Sequence, residues 1–534
     1  MSDASSATAP PPAADPFVIG RDGLDLAAFT AITAGTRSVR LGESARRRVE
    51  AGAAFRRELA AGDERIYGVN TGFGRLADTV IPPAQQSRLQ TNLLRSHAVG
   101  WGPPLSRPEV RGMILLRSLS LAGGFSGARP EVIEQLLWLL EADLHPFVPS
   151  RGSVGASGDL APLAHLGLVL MGEGHVLAAD GRPRPAIDVL RERGREPLTL
   201  EAKEGLALIN GTQLMTTLGL RAVEQGTRLL RWAVTAAALS VEALEASVLP
   251  FGSRYHELRP HREIADVAAA LRGLLTGSEV VENHRDCARV QDPYSLRCSP
   301  QIIGPSLGVL RRARELFLRE AHAVTDNPVL LPEEGRAVTG GHFHGQILAL
   351  ELDALYVAMA EIGDVAERRI NLMLGGNGGR LPRFLAADPG LESGLMIAQY
   401  LAAALVCETR ASAFPAAADS IPTSDNQEDH VSMGSVSALK LRDALARVEA
   451  VVALELITAA RALQFITEPR WAEVCGRTAL SVSPPLTAAL RQIGRRIDLS
   501  PGDRPLTMDL AAVTELVHDE PPAPELADAL VGLA

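Results

Sequence analysis

Apolar residues in the second half of the chain recur at helical spacing over unusually long stretches. Residues 201–250, 261–275, 304–323, 345–374, 391–412 and 433–466 are rich in alanine and leucine and hold few turn residues. A helix with an apolar stripe must bury it against a neighbour, so segments of this length predict a bundle. Alanine and leucine favour helix, and aromatic residues, which sheets prefer, make up only 4% of the chain. The expected fold class is therefore mainly α: a long-helix bundle preceded by an N-terminal, mainly helical domain. At 534 residues and 46% hydrophobic content, the chain can bury a large core.

Composition divides the chain into an Ala/Pro/Ser-rich tail at 1–20, an N-terminal domain at 21–215, a central helical bundle at 216–470 and a helical extension at 471–534. Within the N-terminal domain, Pro130 suits the first turn of a helix, and residues 175–200 read as a short hairpin and loops. No period of 20–50 residues repeats.

Several function classes are disfavoured. The net charge of −10 is spread along the chain without a basic block, so nucleic acid is not an expected partner. Apolar stretches such as 232–251 carry glutamates, which a membrane span tolerates poorly. The N-terminus lacks the charged and apolar regions of a signal peptide, and Cys287, Cys298, Cys407 and Cys475 are scattered singly. A cytoplasmic, reduced protein is expected.

The breaks between helical segments are polar and specific. One of them, "GSVGASGDLAPLAH" (152–165), places small residues at six of the seven positions from Gly152 to Gly158 and follows them with Asp159. On its own this reads as a flexible loop. A sharper reading starts from glycine's unhindered amide nitrogen. If Gly158 N attacks the Ala156 carbonyl and water leaves, a five-membered imidazolone forms. Loss of the Ser157 hydroxyl as a second water leaves an exocyclic methylene, an electrophile made from the chain itself. Lysine occurs only at Lys203 and Lys440, neither in a phosphate-binding context. An electrophile supplied by pyridoxal phosphate, which needs a Schiff-base lysine, is thus not expected.

That run closely resembles the signature of the histidine/phenylalanine/tyrosine ammonia-lyase family. "YGVNTGFG", "SHAVG", "ALINGTQ", "VQDPYSLRCSPQ", "DNP", "GGHFHG", "ERRI", "SGLMIAQ" and "PTSDNQEDHVSMG" extend the resemblance, in family order, over about residues 20–470. It implies fumarase/aspartase-like helical architecture, a homotetramer with active sites shared between subunits, and the prosthetic group 4-methylideneimidazole-5-one (MIO) formed from Ala156, Ser157 and Gly158. No metal is expected. The histidines His342, His344 and His430 have no H-x-x-x-H spacing and no cysteine beside them.

By the same resemblance Tyr67 is the base that removes a β-proton from an amino acid. Its phenol, ordinarily titrating near pH ~10, would need stabilising as phenolate by positive charge, helix N-termini or the surroundings of the electrophile. Tyr294 would stand beside the prosthetic group. Arg297 would pair with the substrate carboxylate through its planar fork, Asn210 and Gln291 would act as neutral donors, and Phe343 would form an apolar wall. Ser96, His97, Met396 and Glu428 match the histidine-type enzymes, and an imidazole substrate needs both a donor and an acceptor. The activity implied is conversion of L-histidine to trans-urocanate and ammonia. Alternatives are a phenylalanine or tyrosine ammonia-lyase, a 2,3-aminomutase, or a catalytically silent helical scaffold. His342 and Phe414 depart from the family pattern and bear on substrate scope, and the glycine-rich stretch 374–384, also looser than that pattern, bears on a lid or a subunit contact.

Overall fold

The structure, a computed structural model, describes residues 15–283 and 289–533. Most of the expected tail, and Cys287, lie outside them. Within the stretch expected as tail, Phe17–Ile19 is instead a buried strand pairing in parallel with Val39–Leu41. Phe17, Val18 and Ile19 are all buried, and this apolar triplet outweighs the polar composition around it.

The protein is mainly α, with 61% helix and 7% strand. Two compact units are each assembled from separate stretches of chain. One comprises the chain up to Arg221 with Glu315–Leu350 and Ala416–Leu439. Its helices include Pro83–His97, Arg107–Leu121, Pro130–Glu141 and Leu160–Leu170. Arg107–Leu121 begins with a reciprocal cap between Ser106 and Glu109, and Pro130 occupies the first turn of its helix, where no amide hydrogen is needed. Their apolar faces meet in a core containing Met113, Ile114, Ile133, Leu136 and Leu139, all fully buried. Each such side chain contributes roughly 1.5–3 kcal/mol on burial.

The hairpin expected at 175–200 is present as His175–Leu177 against Pro183–Pro185. It leads into a helix, Ala186–Glu192, where loops were expected. Buried Ala186, Val189 and Leu190 give this short segment the one-sided apolar spacing that a single turn needs to dock.

The second unit comprises Ala222–Arg314, Glu351–Pro415 and Lys440–Ala534. Four of the five limits between the units fall inside helices, Gln213–Ala243, Ser299–Ala321, Gln346–Leu374 and Gly434–Thr467. Small residues set the spacing within this unit: a Cβ on Gly226 would stand 2.9 Å from Leu310 Cδ2. Gly434–Thr467 is long and apolar enough to cross a membrane, but 83% of its most apolar window is buried within the protein. It also carries Glu455, fully buried and held by Arg369 at 2.5 and 2.8 Å. That pairing suits a core helix.

Candidate active site

The first unit explains why an aspartate follows the small-residue run. Asp159 is fully buried, and its Oδ2 accepts from Leu214 N (2.9 Å) and Met215 N (3.0 Å) at the start of the helix Gln213–Ala243. Ser435 Oγ donates to Asp159 Oδ1 at 2.7 Å from the first turn of Gly434–Thr467. The carboxylate thus caps the start of Gln213–Ala243, distant in sequence, where free amide hydrogens favour negative charge, and ties it through the Ser435 hydroxyl to the start of Gly434–Thr467. Burial nevertheless pushes its pKa up to about 6 against these hydrogen bonds. Gly158, at φ +75°, lies so close to Gly211 that a Cβ would stand 2.2 Å from the Gly211 oxygen, and only glycine fits.

The turn held in this way presents Ser157. Its Oγ donates to Glu428 Oε1 at 3.1 Å, and its carbonyl accepts from Asn210 Nδ2 at 3.0 Å. Glu428 is fixed by Thr423, whose Oγ1 donates to Oε2 at 2.5 Å while the two backbones pair at 3.0 and 3.3 Å. Between them Ser424, Asp425 and Asn426 all have positive φ, a conformation that side chains disfavour and that the closing pair enforces.

Tyr67 and His97 lie close enough to feel the Glu428 charge. His97 Nδ1 stands 2.9 Å from Leu93 O and 3.0 Å from Ser96 Oγ, and burial lowers its pKa. Tyr67 OH accepts from Gly74 N at 3.1 Å. The expected stabilisation of a phenolate is not provided here. Burial pushes the Tyr67 pKa up, Glu428 pushes it further, and only the Gly74 amide acts in the other direction. With desolvation and a like charge both opposing ionisation, the phenol keeps its proton.

A cavity of about 460 Å³ is lined by Ser96, His97, Ala156, Gly158, Thr423 and Glu428, with the Trp101–Arg151 pair also in its wall. These residues fit a prosthetic group made from Ala156, Ser157 and Gly158. The turn is tight, the Gly158 amide nitrogen carries no hydrogen bond among the described residues, and Asn210 Oδ1 is buried without a partner among them.

Three expected residues form a second cluster, in the other unit. The Arg297 guanidinium lies 4.7 Å from the centre of the Tyr294 ring, as expected of residues one turn apart in the helix Tyr294–Arg297. Arg297 donates to Asp292 O at 2.9 Å and to Gln291 Oε1 at 2.8 Å. Gln291 and Arg297 line a cavity of about 630 Å³, and Tyr294 is 69% exposed. Phe343 is half-buried in the turn before Gln346–Leu374, and Met396 begins the helix Met396–Ala411; neither lines either cavity. His344 and His430 stack at 5.9 Å with His344 Nε2 facing the His430 carbonyl.

Sequence reasoning assigned no role to Asp159, Thr423 or Arg369. Arg369 is fully buried and reaches from Glu455 to Ser295 O at 3.3 Å, anchoring the helix that carries Tyr294 and Arg297. Each stands within a quoted block, but its partners are distant in sequence.

Comparisons with known proteins agree with this geometry. The aromatic amino acid lyase family profile matches residues 24–492. Histidine ammonia-lyase of Burkholderia ambifaria is 46% identical over 472 residues, 88% of this chain and 91% of that protein. The enzyme of the same name from Burkholderia multivorans is 50% identical over 430 residues, 80% and 85% of the two chains. Among solved structures, histidine ammonia-lyase from Trypanosoma cruzi superposes with a TM-score of 0.85 at 36% identity, covering 97% of this chain and 95% of that one. Tyrosine aminomutase from Streptomyces globisporus gives 0.87 at 33%, covering 97% and 98%. With a profile spanning most of its length and relatives this similar over nearly their whole chains, the protein belongs to the aromatic amino acid lyase family.

Proposed function

We propose that this lyase removes ammonia from L-histidine to give trans-urocanate, using MIO formed from Ala156, Ser157 and Gly158. The observation that carries the reading is the hydrogen bond from Ser157 to Glu428, in a cavity that also holds His97. A carboxylate and an imidazole at the reacting centre suit a substrate ring with one N–H and one bare nitrogen. An aromatic hydrocarbon ring would leave both unpaired. His97 Nδ1, 2.9 Å from the Leu93 carbonyl, donates the hydrogen of the neutral ring to it, which leaves Nε2 bare to accept from the substrate N–H. In the imidazolium form, which the Glu428 charge favours, Nε2 donates to the bare substrate nitrogen while Glu428 accepts from the substrate N–H.

Once formed, MIO supplies an electrophile that makes the substrate amine a better leaving group. Asn210 holds the Ser157 carbonyl and so orients the turn. Tyr67 takes the β-proton, for which its phenol must first ionise. Positive charge brought near it would offset the burial that now opposes this. Arg297, with Tyr294 and Gln291, supplies that charge and pairs with the substrate carboxylate from another copy of the chain, in a homotetramer with shared sites. Phe343 and Met396 complete the apolar wall. Association is supported by exposed apolar residues Ile397, Tyr400 and Leu401 on one helix and Ile347 and Leu350 on another. A reducing, cytoplasmic setting is supported by free thiols at Cys298, Cys407 and Cys475.

The test is parallel incubation with L-histidine, L-phenylalanine and L-tyrosine, following ammonia and the unsaturated acid. Urocanate from histidine alone is expected. Cinnamate or coumarate instead would overturn the substrate assignment and implicate His342 and Phe414. The similarity to tyrosine aminomutase favours one second reading, re-addition of ammonia at the β-carbon, which a β-amino acid product would establish.

A further inference from the structure

Arg117 is completely buried yet underused. One of its nitrogens, Nη1, donates to Asn210 O at 2.9 Å and to Gln213 Oε1 at 3.1 Å, while Nε and Nη2 have no partner among the described residues. The other cations around it are matched. Lys203, fully buried, donates to Asp326 at 2.7 Å, and Arg56 donates to Glu201 at 2.5 Å. Arg117 is the surplus charge of this interior, and burial lowers its pKa to about 10 despite Asp326. A buried guanidinium with unsatisfied donors is costly, and an apolar side chain of similar volume would normally serve stability better.

What Arg117 grips accounts for its presence. The Asn210–Gly211 segment forms the wall against which the small-residue turn is pressed. Asn210 Nδ2 holds the Ser157 carbonyl, Gly211 O accepts from Asp159 N at 2.7 Å, and Gly158 packs on the same Gly211 oxygen. Behind this wall there is no slack. A Cβ on Gly211 would stand 2.5 Å from Arg117 Nη1 and from Gln213 Oε1, and 2.6 Å from Thr325 Oγ1. Gln213 is itself tied to Thr325 at 3.0 Å.

We propose that Arg117 is a positioning residue for self-processing: its guanidinium clamps the Asn210–Gly211 peptide from behind, so that Ala156, Ser157 and Gly158 stay compressed enough to cyclise. The inference rests on the reading of that tripeptide as the precursor of the prosthetic group. Cyclisation joins Gly158 N to the Ala156 carbonyl carbon and releases one water, and loss of the Ser157 hydroxyl with its α-hydrogen releases the second. Both steps need a near-attack geometry that a yielding wall would lose.

The experiment follows the intact mass of the full-length chain at intervals after synthesis, with circular dichroism and thermal melting to identify the folded pool. Wild type should lose the mass of two waters, and a wild-type chain that loses none refutes the underlying reading rather than the clamp. Arg117→Met removes charge and donors at similar volume, and its folded chains should lose the waters at least about tenfold more slowly. Arg117→Lys keeps the charge without the planar fork and should be intermediate. It also decides the matter if the methionine variant does not fold. Folded Arg117→Lys and Arg117→Met chains that cyclise as fast as wild type would overturn the proposal, and a change confined to melting temperature would assign Arg117 to stability alone.

Discussion

The Ser157 cluster and the Arg297 cluster are built in opposite ways. Ser157 is held by Glu428, 271 residues away, and by Asn210, 53 away. Arg297 is held by residues five and six positions earlier in its own loop, and its stacking partner Tyr294 points largely into solvent. The first cluster exists only when the chain is folded, and its polar groups are turned inward on one another. The second is a local platform, with an aromatic face and a cation on display. A reaction needing both depends on a surface that brings such a platform to such a cavity, which is why association between copies enters the functional reading.

Removing Ser157 tests this contrast most severely. Ser157→Ala leaves no hydroxyl to lose, so the chain should retain the water that leaves with it. Ammonia release should fall by roughly 10⁶-fold, the scale of a complete loss of catalysis. Mass spectrometry and a turnover assay on the same sample check both halves. Appreciable turnover by this variant would remove the first cluster from the centre of the chemistry.

The second cluster should respond differently. Arg297→Met should leave cyclisation complete by intact mass, because no hydrogen bond of Arg297 reaches the small-residue turn. It should raise KM about 10- to 100-fold, the loss expected of a charge-assisted contact to a carboxylate. Incomplete cyclisation in this variant would break the comparison, since the platform would then be needed to build the electrophile as well as to hold substrate.

What the sequence could reveal follows the same division. Helical periodicity is local, and two of the long segments appear with limits within a residue of those read from the pattern, Gln346–Leu374 against 345–374 and Gly434–Thr467 against 433–466. By contrast, 201–250 is broken at Asn210–Thr212 into Glu204–Ile209 and Gln213–Ala243, where the chain turns to meet Ser157 and Asp159. The stacking of Arg297 on Tyr294 is local in the same sense as periodicity, because residues three apart share one face of a helix. Asp159 was conspicuous, but its purpose was not legible. Two of its partners are backbone amides at Leu214 and Met215, and amides leave no signature in side-chain identity. The environment of Tyr67 was hidden for a related reason. That Glu428 would press on it, and only the Gly74 amide relieve it, depends on loops brought together by the fold. The surplus charge of Arg117 becomes visible only once Lys203 and Arg56 have found their own carboxylates.

The smallest expected effect is a difference in acid sensitivity that reports on burial in the first cluster. His97 has its pKa lowered by burial, with the Leu93 carbonyl and the Glu428 charge partly opposing this. The unfolded chain, titrating near the ordinary value of ~6.5, therefore takes up the proton first as pH falls. Stability from His97 is constant above that value and declines as pH drops through it toward the lower, folded pKa. His97→Gln removes the titration while keeping a polar side chain of similar reach. Against wild type, the variant should gain melting temperature on going from pH 8 to pH 5.5. The gain should be small, below about 1 kcal/mol once solvent screening of a partly exposed ring is allowed for. His145, His165 and His256 also have lowered values, and taking the difference between variant and wild type cancels their contribution. A relative loss at low pH would mean that protonated His97 is favoured by the fold, and that Glu428 outweighs burial at the centre of the first cluster.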